Sequence, residues 1–456
     1  MKSPLVRSFA VTEQLLLLFI WLVLVMNLFF PWQNFVNPMG DALGASRSAP
    51  DKLSHNVLSA MYFVILLLSL TRIKLMIRTL LENGLLLVLS LWILLSITWG
   101  SDPATALGAV IRFFAFVVFS AYLVSRYDTT EFVAFLTRGF ALSVLASFAV
   151  MLLVPRLGHS NLAGGYQTAW RGAFTHKNWL GSAMSVGIFV AAYSYHLRAN
   201  SRLLAVFTVL GGTALLLMSR SATSLIALGA SLLTAIGGLA LQSEGKKSPL
   251  RGIALLAIGV AIVGLLVFPL LDIEISKLPR IIGRSADLTG RAEVWRAVKM
   301  AIHDKPLTGY GYGFWSMPSV MKNNIWTSAG WEVPHAHNTW LDAWLQLGLI
   351  GVLLTGLVWL LAVWRAAWLA LVINAKGALF LLGLLLGCLS RSAAETVMFA
   401  PALTSLFWLL TSYMYVGRIA RERRLEKKIA APEPRSILNR PTAPAAAMLG
   451  VSKSPS

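Results

Sequence analysis

Two histidines separated by one alanine, His335 and His337, open the stretch PHAHNTWLDAWLQLGLIG at residues 334–351. A polar approach there runs directly into an apolar helix. An imidazole at such a boundary can accept a proton beside a substrate that is itself held in lipid. Asn338 can cap the helix, and Thr339-x-x-Asp342 has capping-box spacing. A helix start favours the neutral imidazole, the form a general base needs near neutral pH. His335 is then a partner or a donor behind His337. His-x-His could also begin a metal site, but no cysteine or carboxylate cluster on the same side completes one. Asp272 and Glu274 form the only close acid pair there, so no metal and no cofactor are expected.

Three cationic positions share the polar side. In WRGAFTHKNWLG, residues 170–181, Arg171, His176, Lys177 and Asn178 precede an apolar stretch, and Gly172 and Gly181 permit close backbone approach. A helix starting near Asn178 turns its positive end toward His176 and Lys177 and invites an anion. An ordinary interfacial loop with snorkelling side chains has the same composition. Arg220, in LLLMSRSATSLIALG, stands in a short turn between two apolar helices, where a lone charge is costly. Lipid headgroup binding alone would also explain it.

In DLTGRAEVWRAVKMAIHDKP the spacing predicts a short helix from Arg291 to His303, with Ala292, Trp295, Val298 and Ile302 as its apolar stripe, stopped at Lys305–Pro306. Arg291 falls in the first turn, where the helix dipole disfavours a cation unless an anion is also present. The following GYGYGFW (Gly309, Gly311, Gly313) reads as a flexible aromatic turn rather than a nucleotide loop, since no strand precedes it. Arginines and a histidine on one side, with few acids, make a cationic pocket with one proton acceptor. Such a pocket suits a diphosphate, because guanidinium forks pair with phosphate oxygens without a metal. Trp315, Trp326, Trp331 and Trp340 could stack on sugar faces, although tryptophan belts at membrane boundaries are also common.

These groups must be carried by helices in lipid. Of 456 residues 57% are hydrophobic and only 13% charged, and the apolar residues fall in runs long enough to cross a bilayer. The fold class is all-α, a polytopic membrane protein. Twelve spans are expected, at about 13–31, 54–70, 84–99, 104–125, 132–154, 179–196, 203–219, 222–241, 252–271, 341–364, 376–392 and 397–417. The first apolar run, Leu15 to Phe30, reads as a span and not as a cleavable signal peptide.

Spans one to nine thus occupy 1–271, an outward loop with short amphipathic helices 272–340, and spans ten to twelve 341–417. Residues 418–456 are a basic, then disordered, cytoplasmic tail. Arg72, Lys74, Arg78, Arg126, Arg198, Arg202, Lys246, Lys247, Arg251, Arg365 and Arg418 alternate with an uncharged-to-acidic turn at Ser101–Pro103. By the positive-inside rule both termini are cytoplasmic. The net charge of +20 is therefore a topology signal, and its dispersal in short loops excludes a nucleic-acid partner. The single Cys388 excludes disulfides.

RGAFTHKNWLG (171–181), SRSATS (219–224), TGRAEVW (289–295) with PLTGYGYGFW (306–315), and HAHNTWLDAWLQLGLIG (335–351) together resemble the bacterial O-antigen ligase and Wzy-type polymerase superfamily, most of all its exopolysaccharide-polymerase branch. Order and spacing fit from about residue 160 to 365. The resemblance implies a GT-C-like fold and a metal-independent, inverting glycosyltransferase without cofactors. Its donor is a glycan on undecaprenyl pyrophosphate. Arg220 and Arg291 are implied to hold the diphosphate and His337 to take the acceptor's proton. Arg171, His176, Lys177 and Asn178, with His335 and Asn338, are implied to bind substrate.

The expected setting is the bacterial inner membrane, with the active site periplasmic. A chain-length regulator and export proteins are expected partners beside the lipid bilayer. Polymerisation of lipid-linked repeat units leads, and ligation to lipid A core or protein is the rival within the superfamily. A lipid-linked glycan transporter is the rival of another class. Transporters, however, usually place ionisable groups at mid-membrane, where only Arg112 and Arg138 lie here.

Overall fold

Leucine, valine, phenylalanine and alanine dominate runs with few glycines or prolines, and in lipid such runs must satisfy their backbone groups internally, as helices. The computed structural model describes residues 4–25, 52–160, 168–243, 250, 253–254, 291–375, 377–393, 395–396 and 404–430. In chain order these form α1 (Pro4–Leu24), α2 (Lys52–Leu70), α3 (Ile73–Glu82), α4 (Gly84–Leu95), α5 (Pro103–Arg126), α6 (Thr129–Leu153) and α7 (Lys177–Leu197). They continue as α8 (Arg202–Met218), α9 (Ala222–Ser243), α10 (Arg291–Asp304), α11 (Val320–Ala329), α12 (Thr339–Ala367), α13 (Ala378–Ser392) and α14 (Thr404–Ala430). Among the described residues the one β-type pairing is an isolated bridge between His159 and Trp170.

Five described helices are long and apolar enough to cross a membrane: α5, α6, α7, α9 and Thr339–Val372, which includes α12. The count rises to six if the bent pair Asn56–Leu70 and Ile73–Glu82 is one span. Val11–Leu24, Gly84–Trp99, Arg202–Met218 and Ala378–Ser392 are apolar but shorter. The expected span 252–271 lies outside the described residues, except for 253–254, and so do 26–31, 397–403 and the tail beyond 430.

The basic segment after α2 is not a loop. It is the helix α3, set at 95° to the helix before it. Thr71 makes the corner by donating from both its amide and its hydroxyl to the Leu68 carbonyl. Lys74 and Arg78 are exposed on α3 and Met76 is buried, the pattern of a helix lying along a membrane surface.

The long polar segment is folded where it is described. The buried face of α10 is Val294, Ala297, Val298, Ala301 and Ile302, so of the expected stripe Val298 and Ile302 are buried while Ala292 and Trp295 are only partly so. Val294, Ala297 and Ala301 widen the face because they meet a core shared with Phe314, Trp315, Ile325, Val333, Leu341 and Leu345. Trp295 lies at the edge and donates to the Ala336 carbonyl at 2.9 Å.

The glycine-rich turn is pinned rather than flexible. Within α12, Gly348 has φ 69° and ψ −174°, a conformation that only glycine adopts readily, and the helical ladder breaks there. The freed carbonyls are taken up by the turn: Tyr310 N–H donates to Leu345 O at 2.9 Å and Gly311 N–H to Gln346 O at 2.8 Å. Trp92 Nε1 donates to Leu347 O at 3.0 Å.

The chain divides into two compact units, Met1–Ile419 and Ala420–Ser456. In the second, residues 420–430 are helical and hold an Arg423–Glu426 pair at 3.1 Å.

Candidate active site

The site forms where α7, α10, α12 and the segment after α13 meet. His176 is the N-cap of α7, its Nδ1 accepting from the Asn178 amide at 3.1 Å. An imidazole used this way is an acceptor at Nδ1 and carries its proton on Nε2. Burial pushes its pKa down to about 4, further lowered by Lys177, His337 and Arg171 and opposed by Glu395. Helix α7 therefore begins one residue before the Asn178 start expected from the sequence.

Asn338 caps α12, its Oδ1 accepting from the amides of Trp340 and Leu341. The expected capping box does not form. Asp342 is buried and accepts from Trp315 Nε1 at 2.5 Å, while the Thr339 hydroxyl donates to the Glu395 carbonyl at 2.9 Å. Just before the cap, His337 has φ 51°, a left-handed conformation unusual for a side chain with a Cβ. It is held there by the His335 Nδ1, which accepts the His337 amide at 3.2 Å. His335 is fully enclosed, and burial, with His337 next to it, takes its pKa well below the usual histidine range.

Glu395 joins these parts. One carboxylate oxygen accepts from Arg291 Nη2 at 2.8 Å and from Asn178 Nδ2 at 3.2 Å. The other oxygen lies 3.5 Å from His337 Nδ1. Burial alone would raise its pKa, but the His337 contact and the Arg291 charge hold it well below the usual carboxylate range. The carboxylate is ionised and stands within ion-pair distance of the imidazole Nδ1, without closing a hydrogen bond to it. Arg391, buried at the end of α13, faces Glu395 electrostatically and donates to the Ser182 hydroxyl of α7.

The structure thus brings His337, Arg291, His335 and Asn178 together around Glu395, with His176 and Lys177 in the same electrostatic neighbourhood. Lys177 Nζ reaches Asn178 Oδ1 at 3.4 Å. Asn338 stands behind them, tying the cap to Ala393 O at 3.1 Å. Arg171 lies one step out, its guanidinium clasping the Leu157 and Thr175 carbonyls. Arg220 lies in the turn before α9, beside the first turns of α7. Its backbone, at φ 51°, forms the turn whose neighbours Ser219 and Ser221 press on Gly181 of α7, while its side chain is exposed.

Of the four tryptophans, Trp315 and Trp340 are buried and hydrogen-bonded to Asp342 and Ser392. Trp326 is bonded to Val333 O. Trp331, 41% exposed, has its ring centroid 6.0 Å from that of His337, which makes it the one placed to offer a face beside the imidazole.

His335, His337 and Glu395 each present a ligand atom, all within 4.8 Å of one another, so donor type and spacing would suit a divalent ion. The carboxylate missing from the sequence neighbourhood is thus supplied from far along the chain, although its Oε1 is already engaged by the Arg291 cation. Asp272 and Glu274 lie outside the described residues.

Fold and site together define an α-helical, membrane-type protein with a largely buried cluster of basic groups around one carboxylate, which lies beside a histidine. Residues 204–356 match the O-Antigen ligase family. Over 280 residues the chain is 28% identical to the exopolysaccharide production protein ExoQ of Rhizobium meliloti (strain 1021), a match covering 58% of this chain and 60% of that protein. The chain therefore spans about 60% of the length of this curated relative. Both matches support the O-antigen ligase and Wzy-type superfamily. The family match includes Arg220, Arg291, His335, His337 and Asn338 and ends before Glu395.

Proposed function

We propose that this chain is a polysaccharide polymerase that transfers a glycan from a polyprenyl diphosphate lipid to a hydroxyl of a second lipid-linked repeat unit. The observation that carries the reading is Glu395, which ties the Arg291 guanidinium and the His337 imidazole into one unit. His337 Nε2 takes the proton of the acceptor hydroxyl as its oxygen bonds to the anomeric carbon. The bond from that carbon to the diphosphate oxygen breaks, and the electron pair leaves with the diphosphate. Attack from the face opposite the leaving group inverts the anomeric centre.

Glu395 stabilises the imidazolium that forms, much as a carboxylate does behind a catalytic histidine. The charge that develops on the departing diphosphate is met by Arg291, Lys177 and Arg391, two guanidiniums and an ammonium gathered near Glu395. Arg220, exposed at the adjoining turn, is suited to the outer phosphate of a lipid entering from the side. Trp331 offers a face to the acceptor sugar beside His337.

The polymerase reading draws on the name of the exopolysaccharide relative. Ligation to a lipid A core or to protein is favoured instead by the description of the matched family. Purified chain in nanodiscs, supplied with a polyprenyl-diphosphate-linked repeat unit, should yield a ladder of products. A single transfer, seen only when a lipid A core acceptor is added, would replace the polymerase by a ligase. No transfer to either acceptor by folded protein would remove the transferase reading.

A further inference from the structure

The turn that carries His337 is held in an unusual shape, and one of its holds comes from another helix. His337 has φ 51°, in the left-handed region that a side chain with a Cβ rarely occupies. Such a conformation persists only where its surroundings over-determine it. From inside the turn, the His337 amide donates to His335 Nδ1 at 3.2 Å, and the two imidazole centroids are 4.1 Å apart. On the C-terminal side, Asn338 caps α12 and donates through Nδ2 to Ala393 O at 3.1 Å. The peptide between the two histidines is reached from α10, where Trp295 Nε1 donates to the Ala336 carbonyl at 2.9 Å.

Trp295 stands one helical turn after Arg291, so both project from the same side of α10. That helix therefore keeps two parts of the site in register. Arg291 Nη2 holds the Glu395 carboxylate at 2.8 Å, and Trp295 holds the backbone on which His337 is mounted. The Trp295 ring packs at the edge of the core that contains Val333, Ala336 and Leu341, and Ala336 is itself fully buried. Removing the indole N–H takes a donor away from a buried carbonyl, a costly change that the turn can relieve by relaxing. Relaxation of the turn carries the imidazole away from Glu395, whose carboxylate now lies 3.5 Å from Nδ1.

We propose that Trp295 is a positioning residue of the transfer reaction. Its indole N–H keeps His337 in the left-handed turn, and so keeps the imidazole beside Glu395 and the face of Trp331. Trp295 acts through the backbone of Ala336 and not on the reacting groups. Its part in transfer rests on the reading of His337 as the base, whereas its hold on the turn does not.

The test removes the N–H alone. Benzothienylalanine placed at position 295 carries sulfur where the indole carries N–H and keeps the shape of the ring; Trp295→Phe is the second variant, used if the first does not fold. The full chain in nanodiscs is supplied with a polyprenyl-diphosphate-linked repeat unit. With KM unchanged, kcat should fall about tenfold or more, since a catalytic group misplaced by about 1 Å loses about 10²-fold. Magnetic resonance of isotope-labelled histidine in the substrate-free protein supplies a readout that loss of stability alone would not move. The His335 and His337 signals should shift, and that of His196, at the far end of α7, should not.

A wild-type kcat in the folded variant overturns the proposal, and so does a fallen kcat with unmoved His335 and His337 signals. A raised KM at wild-type kcat would make Trp295 a substrate contact and overturns it too. Should the wild-type protein transfer nothing, the transferase reading falls by itself, and the histidine signals still decide whether Trp295 holds the turn.

Discussion

At the scale of single residues, the sequence exposed the histidine pair and the arginines because each is a charge where an apolar chain does not need one. Glu395 obeys the same rule. It follows closely on the apolar α13 and, like Arg220, is a lone charge beside an apolar helix. It is not legible in sequence because a lone acid has no local partner there; its partners Arg291, Asn178 and His337 arrive from three other elements. Its role makes the sharpest prediction. Glu395→Gln keeps the shape and the Asn178 contact but removes the charge beside the imidazole. Transfer should fall by about 10²-fold, the cost of a catalytic group left out of line, with membrane abundance unchanged; wild-type rates would show the carboxylate to be structural. His337→Ala should fall further, by about 10²–10⁴-fold, as expected for loss of a general base. Long polymer from the folded Ala variant would remove His337 from the chemistry. The His335, His337 and Glu395 spacing also allows a sharp test of metal use. Dialysis against a strong chelator should leave transfer unchanged, and activity lost to chelator and restored by zinc would assign these three side chains to an ion.

At the scale of elements, the sequence read helix positions well where apolar periodicity was long, and less well where tertiary contacts decide. The start of α12 at Thr339 and the end of α10 before Lys305 were legible from Asn338 and from Lys305–Pro306. The break inside α12 was not, because Gly348 sits in an unbroken apolar run and a helical glycine looks the same in sequence. The break matters to the site, since it turns the carbonyls of Leu345 and Gln346 toward the Gly309–Gly313 turn, and that turn anchors the segment linking α10 to α11. A Cβ on Gly348 would stand 2.0 Å from the Leu307 carbonyl oxygen, a backbone atom that cannot swing away. Gly348→Ala should therefore destabilise the fold by about 1–3 kcal/mol from the strained conformation alone, before the clash is counted. A thermal melt in detergent reads this directly. A melt unchanged from wild type would mean that α12 can run straight through this position.

At the scale of the whole molecule, the chemistry depends on which compartment the site faces, and charge sorting along α5 makes that testable. Arg72 Nη1 donates to the Ser125 carbonyl, Arg126 pairs with Glu13 at 3.0 Å, and Arg418 Nη1 donates to the Val124 and Tyr127 carbonyls. The basic groups Arg72, Arg126 and Arg418, which the charge rule places toward the cytoplasm, therefore meet at one end of this helix. At the Pro103 end, Trp99 Nε1 donates to Thr308 O, and a Cβ on Gly311 would touch Gly100, so the segment that carries Arg291 and His337 belongs to the opposite end. Some 36 Å of helix separates the two, enough to cross the hydrocarbon. If the basic end is cytoplasmic, the histidine faces outward, as the proposed transfer between lipid-linked repeat units requires. Cys388 is buried and so offers a silent background for thiol labelling. In intact cells with a permeable outer membrane, Ser101→Cys should react with a membrane-impermeant maleimide, and Ser201→Cys only after the inner membrane is opened; both positions are exposed. The reverse pattern would put Glu395, Arg291 and His337 on the cytoplasmic side and overturn the proposed outward transfer.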